Sequence, residues 1–234
     1  MKKFLLAAVV LLGSISLANA ERFSIGVTVA GGVFEADGAS ETFSGDHAGN
    51  RSSTNVTKNA ADEGEDAEAA VAMGSIFFEA SLTDQFSLGV NYVPHSMDSE
   101  TTENTQNIGG LPAGPNDDNE VRNTVKVSFE DLTTVYALAN INDNVYAKLG
   151  YVQVEVITDE NLATGGAYGN TDLDGYTIAL GYSMDLSDGM FVRAEASYMD
   201  LDGASVTNDN DATKSVSVDG IKGYGAGLSV GKSF

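Results

Sequence analysis

Four charged residues stand in stretches of the chain that otherwise alternate between large apolar and small residues. They are Glu79, Lys148, Arg193 and Glu195. Two acids and two bases that share a confined space form salt bridges, because an unpaired charge is costly away from water. Such a network either fills the space as a stabilising plug or opens as a gate for ions. We take the plug as the principal interpretation and the gate as the alternative.

Histidine chemistry is the second possibility that the residue types raise. Only His47 and His95 are present, and His95 stands beside Ser96 and near Asp98. A lipid-modifying enzyme needs a nucleophile or a base, usually a histidine combined with a serine and an acid. Both histidines fall in predicted loops, so we predict no catalytic residue and no enzymatic activity. Two histidines and no cysteine also predict no transition-metal site, and we expect no cofactor.

Acidic residues are concentrated in the polar stretches of the chain. The segments Asp172-x-Asp174 and Asp209-x-Asp211 are too short for the calcium loop of twelve residues, which needs ligands at fixed positions. Solvation and mutual repulsion explain these acids most simply. Divalent cations, bound directly or bridging to anionic lipid, are the alternative.

The stretches that contain the four charged residues alternate between large apolar and small residues. This alternation has a period of two residues, which is the period of a β-strand. The stretch from Tyr224 to Phe234 shows it most clearly: Tyr224, Leu228 and Val230 alternate with glycine and serine. Large apolar side chains on one face and very small ones on the other suit a strand with lipid outside and a narrow, filled lumen inside.

Eight stretches with this alternation follow one another. In the fourth the phase slips, which indicates either a β-bulge near Asp131 or a first part that projects beyond the membrane. In the fifth the phase is ambiguous beyond Tyr151. The predicted strands are Arg22–Phe34, Ala70–Ser81, Phe86 to just before Pro94, Asn123–Ala139, Val145–Ile157, Gly175–Met184, Val192–Met199 and Tyr224–Phe234.

The connections between these strands alternate between long and short. The predicted turns are Thr83–Gln85, Asn142–Asn144 and Leu186–Gly189, and the predicted loops are Glu35–Glu68, His95–Arg122, Thr158–Asp172 and Asp200–Lys222. Short connections at one end and long ones at the other are typical of outer-membrane barrels, whose periplasmic turns are short and whose extracellular loops are long.

The first 20 residues predict a signal peptide. They combine two early lysines, an apolar core over residues 4–12 and the cleavage pattern Ala18-Asn19-Ala20, so the barrel domain is expected over 21–234. Loss of the two lysines lowers the net charge from −22 to −24. A chain this acidic cannot neutralise phosphates, which excludes nucleic acid as a partner. There are no cysteines, so strand pairing must hold the exported chain together.

The alternation, the loop asymmetry and the final aromatic Phe234 together make the mature chain resemble the small eight-stranded outer-membrane barrels. That family is typified by the outer-membrane-protein-A transmembrane domain and the opacity proteins. The resemblance implies an all-β, antiparallel, up-and-down transmembrane barrel in the bacterial outer membrane, with a polar plug in its lumen. It implies outer-membrane lipid as the surroundings and recognition of the strand ending in Phe234 by the assembly machinery. Lys232 departs from that signal, which usually has an apolar residue there.

The function expected from these features is that of a non-enzymatic surface protein, a monomeric plugged barrel that displays acidic loops. The alternative is a narrow, porin-like channel for ions or small solutes.

Overall fold

The computed structural model describes residues 22–38, 40–43, 56–59, 67–99, 102–107, 120–161, 166–212 and 214–234. Residues 1–20, predicted as a signal peptide, and His47 therefore lie outside the described residues. Within them, no helix is long and apolar enough to cross a bilayer. The barrel strands are β1 (Arg22–Asp37), β2 (Ala67–Ser81), β3 (Phe86–Tyr92), β4 (Glu120–Asn140), β5 (Val145–Asn161), β6 (Thr171–Asp185), β7 (Met190–Thr207) and β8 (Lys214–Ser233).

These eight strands form a closed antiparallel barrel with up-and-down order. Each strand pairs with the next one in the chain, and β1 closes the sheet by pairing with β8 from Ser24↔Ser233 to Asp37↔Gly220. Closure satisfies the hydrogen-bonding groups at both edges of the sheet, which a barrel in lipid requires. The predicted fold class is therefore confirmed.

Short strands in the connections extend the sheet beyond the barrel. Ser40–Phe43 pairs with Val56–Asn59 and with the start of β8. Met97–Asp98 and Thr102–Asn107 both pair with β4.

The three predicted turns are confirmed, and side chains fix two of them. The hydroxyl oxygen of Thr83 accepts hydrogen bonds from the backbone N–H groups of Gln85 and Phe86, at 3.2 and 3.0 Å. The carboxamide oxygen of Asn142 accepts from the N–H groups of Asn144 and Val145, at 3.0 and 2.9 Å. Serine, threonine and asparagine favour turns because their oxygens satisfy local backbone donors.

The predicted bulge in β4 is also confirmed. The register with β5 shifts between Glu130 and Thr133, and Asp131 has a φ of 55°. The phenol of Tyr92 donates to Asp131 Oδ1 at 2.6 Å, which holds the bulge against β3. The extra residue explains why the apolar side chains of this strand change phase.

A belt of exposed apolar side chains surrounds the barrel. Its residues include Val27, Val29, Leu149, Ile178, Leu180, Leu228 and Val230. Tyr151 lies opposite Tyr176 and Tyr198 opposite Tyr224 at the upper border of this belt, while Phe23 and Phe78 stack at the lower border with ring centroids 5.8 Å apart. Ten residues of tilted strand separate Tyr224 from Phe234, which corresponds to about 25 Å of membrane at about 3.3 Å per residue and a tilt of about 40°.

The fourth predicted loop, 200–222, is wrong, because the strands on both sides of it continue above the tyrosines. Most of 200–222, predicted as a loop, belongs to β7 and β8, and only 208–213 connect them. In this extension of the strands the apolar side chains point into the barrel and the polar ones point out, the reverse of the lower part. Val152, Val154 and Leu201 point into the barrel and are at most 2% exposed, while acids occupy the outer face. The extension is thus built as a barrel in water, whereas the lower part is built for lipid.

Candidate functional site in the barrel lumen

The first ion pair of the lumen joins Glu79 of β2 to Arg193 of β7. Glu79 follows the inward phase of Ser75 and Phe77, and all three side chains are buried. Arg193 donates from Nη1 to Oε1 at 2.7 Å and from Nη2 to Oε2 at 2.9 Å. Two parallel hydrogen bonds between planar groups fix the orientation of both side chains, so this is the strong, geometrically specific form of an ion pair.

The second ion pair joins Lys148 of β5 to Glu195 of β7. The Nζ of Lys148 lies 2.7 Å from Glu195 Oε2, and both side chains are about four-fifths buried. Glu195 is two residues after Arg193 on the same inward face, as the period of two requires. The structure therefore brings together all four charged residues that the sequence singled out, as two pairs.

Two tyrosines connect the pairs. Tyr136 donates its phenol hydrogen to Glu79 at 2.8 Å, and Tyr146 donates to Glu195 at 2.9 Å. Each cation also lies against the tyrosine of the other pair: Lys148 Nζ is 4.8 Å from the Tyr136 ring centroid, and Arg193 Cζ is 5.2 Å from that of Tyr146. The six residues thus form one network, which we call the ionic floor.

Sequence reasoning missed the two tyrosines as members of this network. Their signal was present, because Tyr136 and Tyr146 follow the same inward phase as Leu138 and Lys148, respectively. A tyrosine in a membrane barrel is more readily assigned to the aromatic belt at the lipid surface.

Glycines on neighbouring strands make room for the aromatic rings of the lumen. A Cβ atom on Gly89 would lie 2.4 Å from Tyr136 Cζ, and one on Gly181 would lie 2.2 Å from Tyr146 Cζ. Each ring therefore lies directly over bare backbone of a neighbouring strand. The small inward residues recognised in the sequence therefore leave space for the large aromatic side chains of neighbouring strands.

A second layer closes the lumen above the ionic floor. It is an apolar core formed by Val93, Met97, Leu132, Val152, Val154, Leu173, Leu201 and Ile221. We call this layer the apolar roof. A cavity of about 110 Å³ lies between the ionic floor and the roof.

His95 lies in the segment between β3 and β4. Its ring nitrogen Nε2 accepts a hydrogen bond from the N–H of Gly74 at 3.0 Å, and Nδ1 lies 3.0 Å from the carbonyl oxygen of Ser96. Pro94 ends β3, so this imidazole occupies the place where the strand would have continued beside β2. The bond from Gly74 therefore fixes His95 in the barrel wall.

Asp98 lies close to His95 in the chain but faces β4. It accepts hydrogen bonds from Lys126 Nζ at 2.7 Å and from Ser128 Oγ at 2.8 Å. The bond from Lys126, with that from Ser128, holds the pKa of this carboxyl below its usual value. Asp98 therefore fastens the segment after Pro94 to β4.

The acids considered as cation ligands are spread over the outer surface. Asp174 accepts from the Tyr151 phenol at 2.9 Å, and Asp211 lies 3.6 Å from Lys214 Nζ. Among the residues that the structure describes, no three His, Cys, Asp or Glu side chains are grouped as metal ligands.

Phe234 lies at the lower border of the apolar belt. Its N–H donates to the carbonyl oxygen of Phe23 at 2.8 Å, and its ring is 70% exposed. The side chain of Lys232 faces outward and extends toward that ring, with Nζ 5.4 Å from the centroid. Both side chains are placed at the membrane border, where an ammonium group reaches water.

A closed barrel with an apolar belt between two aromatic borders is built to span a lipid bilayer. The chain is an eight-stranded outer-membrane β-barrel. Barrels of this kind reside in the outer membrane of bacteria, so the expected fold and location both hold.

No family model matches the chain, and no curated protein sequence matches it. Among solved structures it is similar to Ail, the attachment invasion locus protein of Yersinia pestis, in complex with the heparin analogue sucrose octasulfate. That match has a TM-score of 0.45 and 11% identity, and it covers 91% of this chain and 98% of that chain. The chain is also similar to the outer membrane protein OprG of Pseudomonas aeruginosa, with a TM-score of 0.48, 16% identity and coverage of 92% and 97%. At these identities and TM-scores, the fold rests on the strand pairing of the chain itself.

Proposed function

We propose that this protein is a non-enzymatic surface barrel with a sealed lumen, which anchors an acidic region outside the cell. The observation that carries the proposal is the double closure of the lumen. The ionic floor fills the half of the barrel inside the membrane, and the apolar roof fills the extension above it. An ion would need to displace paired charges in the first layer and then cross an apolar core in the second.

The outer face of the extension supports a role at the surface. Residues that point outward there include Glu130, Glu155, Asp172, Asp174, Asp200 and Asp202. Glu130 lies opposite Glu155, and Glu155 lies opposite Asp172, on three adjacent strands. Like charges directly opposite each other do not stabilise a sheet. We infer that this arrangement serves the exterior of the protein, where it repels other acidic surfaces.

A narrow channel for ions or small solutes is the second candidate. The observation that favours it is the cavity beside the ionic floor, because water next to the ion pairs would make their separation less costly.

Planar bilayer recordings test the two candidates. The refolded barrel should insert without producing stepwise currents, and a porin of known conductance recorded in the same bilayers controls for insertion. Heat-modifiable mobility on gels should show that the inserted protein is folded. Regular unitary currents from the folded protein would reject the sealed barrel and support the channel.

A further inference from the structure

One edge of β2 loses its strand partner partway along its length. The pairing with β3 ends at Ile76↔Tyr92, whereas β2 itself begins at Ala67. Above that pair, β2 faces segment 93–98, which follows β3. The N–H of Gly74 donates to His95 Nε2 at 3.0 Å. Among the described residues, no other hydrogen bond joins segment 93–98 to β2.

The remaining polar bonds of segment 93–98 to other strands hold it to β4. The N–H of Val93 donates to the carbonyl oxygen of Leu132 at 2.9 Å, and the Asp98 carboxylate accepts from two side chains of β4. Val93 and Met97 also belong to the apolar roof, against which Met73 of β2 packs. The boundary between β2 and the segment is therefore held by apolar contact and by one polar link, which is the imidazole.

The two ring nitrogens of His95 have different roles. Nδ1 lies 3.0 Å from the carbonyl oxygen of Ser96, which can only accept, so Nδ1 carries the hydrogen. Nε2 is then the bare nitrogen, and it accepts from the N–H of Gly74. This arrangement exists only in the neutral imidazole. Protonation places a hydrogen on Nε2 opposite the N–H of Gly74, and two donors cannot form a hydrogen bond with each other.

We propose that His95 is a pH-sensitive switch, which joins segment 93–98 to β2 at neutral pH and releases it in mild acid. Imidazole is the side chain whose charge ordinarily changes between about pH 8 and pH 5. The His95 side chain is exposed, so water reaches its ring. Once the ring is charged, the N–H of Gly74 loses its acceptor, and the wall loosens beside Met73 and the roof. The switch does not depend on the sealed lumen proposed above.

The ionisable groups of the surrounding elements do not pair with His95. They are Glu68 and Glu79 on β2, Tyr92 on β3, Lys126, Glu130 and Asp131 on β4, and Asp98 on the segment itself. Within the described part of the chain, no ion pair joins any of them to the imidazole. The bond from Lys126 holds the pKa of Asp98 below its usual value, so Asp98 stays charged throughout the range in which a histidine gains its proton.

Amide hydrogen exchange measured by NMR tests the switch on the full barrel in nanodiscs. The protection factor of the Gly74 N–H, which is corrected for the intrinsic effect of pH on exchange, should fall at least tenfold between pH 8 and pH 5. The N–H of Ser99, bonded to Val127 on β4, should keep its protection over the same range. Unchanged protection of Gly74 would overturn the proposal. An equal loss at Ser99 would also overturn it, because the segment would then be leaving β4 as well.

Two variants assign the response to the imidazole. His95→Gln supplies a carboxamide oxygen that can accept at every pH, and His95→Ala supplies no acceptor. The acid response of Gly74 should disappear in both. His47→Gln removes the other histidine of the chain and should leave the response intact. Heat-modifiable mobility identifies the folded variants to be compared, and the wild-type measurement stands without them. An acid response that survives in either folded His95 variant, or that disappears in His47→Gln, would overturn the proposal.

Discussion

The carboxylate of Glu79 and the guanidinium of Arg193 meet through two hydrogen bonds across the lumen, at 2.7 and 2.9 Å. Glu79 belongs to β2 and Arg193 to β7, and two other strands separate these in the sheet. The pair therefore ties together parts of the barrel wall that no backbone hydrogen bond connects. Lys148 and Glu195 do the same across β6.

Replacing Arg193 with alanine should lower the free energy of unfolding by about 3–5 kcal/mol, because Glu79 is left charged, buried and without its partner. Lys148→Ala should act in the same direction. The double variant should lose less than the sum, because Tyr136 and Tyr146 couple the two pairs. Urea unfolding in lipid or detergent measures all three variants.

Arg22→Ala is the matched control for this prediction. Arg22 pairs with Asp84 at 3.2 Å, but the two side chains are 58% and 86% exposed. An exposed pair contributes about 0–1 kcal/mol. Equal losses for Arg22→Ala and Arg193→Ala would contradict the claim that the lumen pair is buried and structural.

Gly89→Ala should destabilise the barrel by about 1–3 kcal/mol, the usual cost of overpacking. The new Cβ would lie 2.4 Å from Tyr136 Cζ, so the ring must move and release its hydrogen bond to Glu79. Gly31→Ala provides the control, since its Cβ would meet nothing closer than Val71 O at 3.8 Å. Unfolding in urea and near-ultraviolet circular dichroism report on both variants. Similar stability of Gly89→Ala and Gly31→Ala would show that the Tyr136 ring does not require a glycine at position 89.

Period-two alternation sufficed to predict the barrel and its four lumen charges, because lipid outside and a narrow lumen inside impose opposite side-chain sizes. The same rule failed above Tyr151. There Val152 and Val154 point inward, since water replaces lipid outside and the apolar face must turn to the core. The ambiguity of phase beyond Tyr151 marks this change of solvent in the sequence.

The interior partners could be predicted less well than the charges. Which acid meets which base depends on the stagger of the strands around the barrel, and short sequence patterns do not determine that stagger. Tyr136 could be recognised as inward only after the bulge at Asp131 was placed, because the extra residue inverts the phase of β4.

Acid should loosen the segment that follows Pro94. The bond from Lys126 lowers the folded-state pKa of Asp98 below the ordinary value of 3.8, so its stabilising effect is present above that value. The effect is lost as the pH falls through the lower, folded-state pKa. The N–H of Ser99, bonded to Val127 O at 2.8 Å, should lose hydrogen-exchange protection in this window. In Asp98→Asn the protection should be weaker at neutral pH and should not change further with acid; an unchanged acid response would assign the effect to another group.

Cysteine labelling tests the orientation of the barrel, because the chain has no native cysteine. Asp209→Cys places a thiol at the connection of β7 and β8, and Asp84→Cys places one at the turn between β2 and β3. A membrane-impermeant maleimide added to intact cells should label the first and spare the second, and both should react after lysis. The reverse pattern in intact cells would mean that the acidic extension faces the periplasm.

If the ionic floor and the apolar roof each seal the lumen, as we propose, removing one layer should leave the barrel closed. Arg193→Ala opens only the floor. Leu173→Ser with Leu201→Ser opens only the roof, where these side chains are 3% and 2% exposed. We expect stepwise currents in planar bilayers only when all three changes are combined, since an ion then meets water at both levels.

The matched control for the roof variant is Leu180→Ser with Leu228→Ser. It makes the same change of composition on the lipid-facing surface, where the two side chains are 58% and 69% exposed. Combined with Arg193→Ala, it should stay silent, because the roof is intact. Currents from Arg193→Ala alone would show that the roof does not exclude ions, and the ionic floor would then be the only gate. If the folded variant with all three changes still gives no current, then these three side chains do not form the barrier, and other parts of the barrel block the ions.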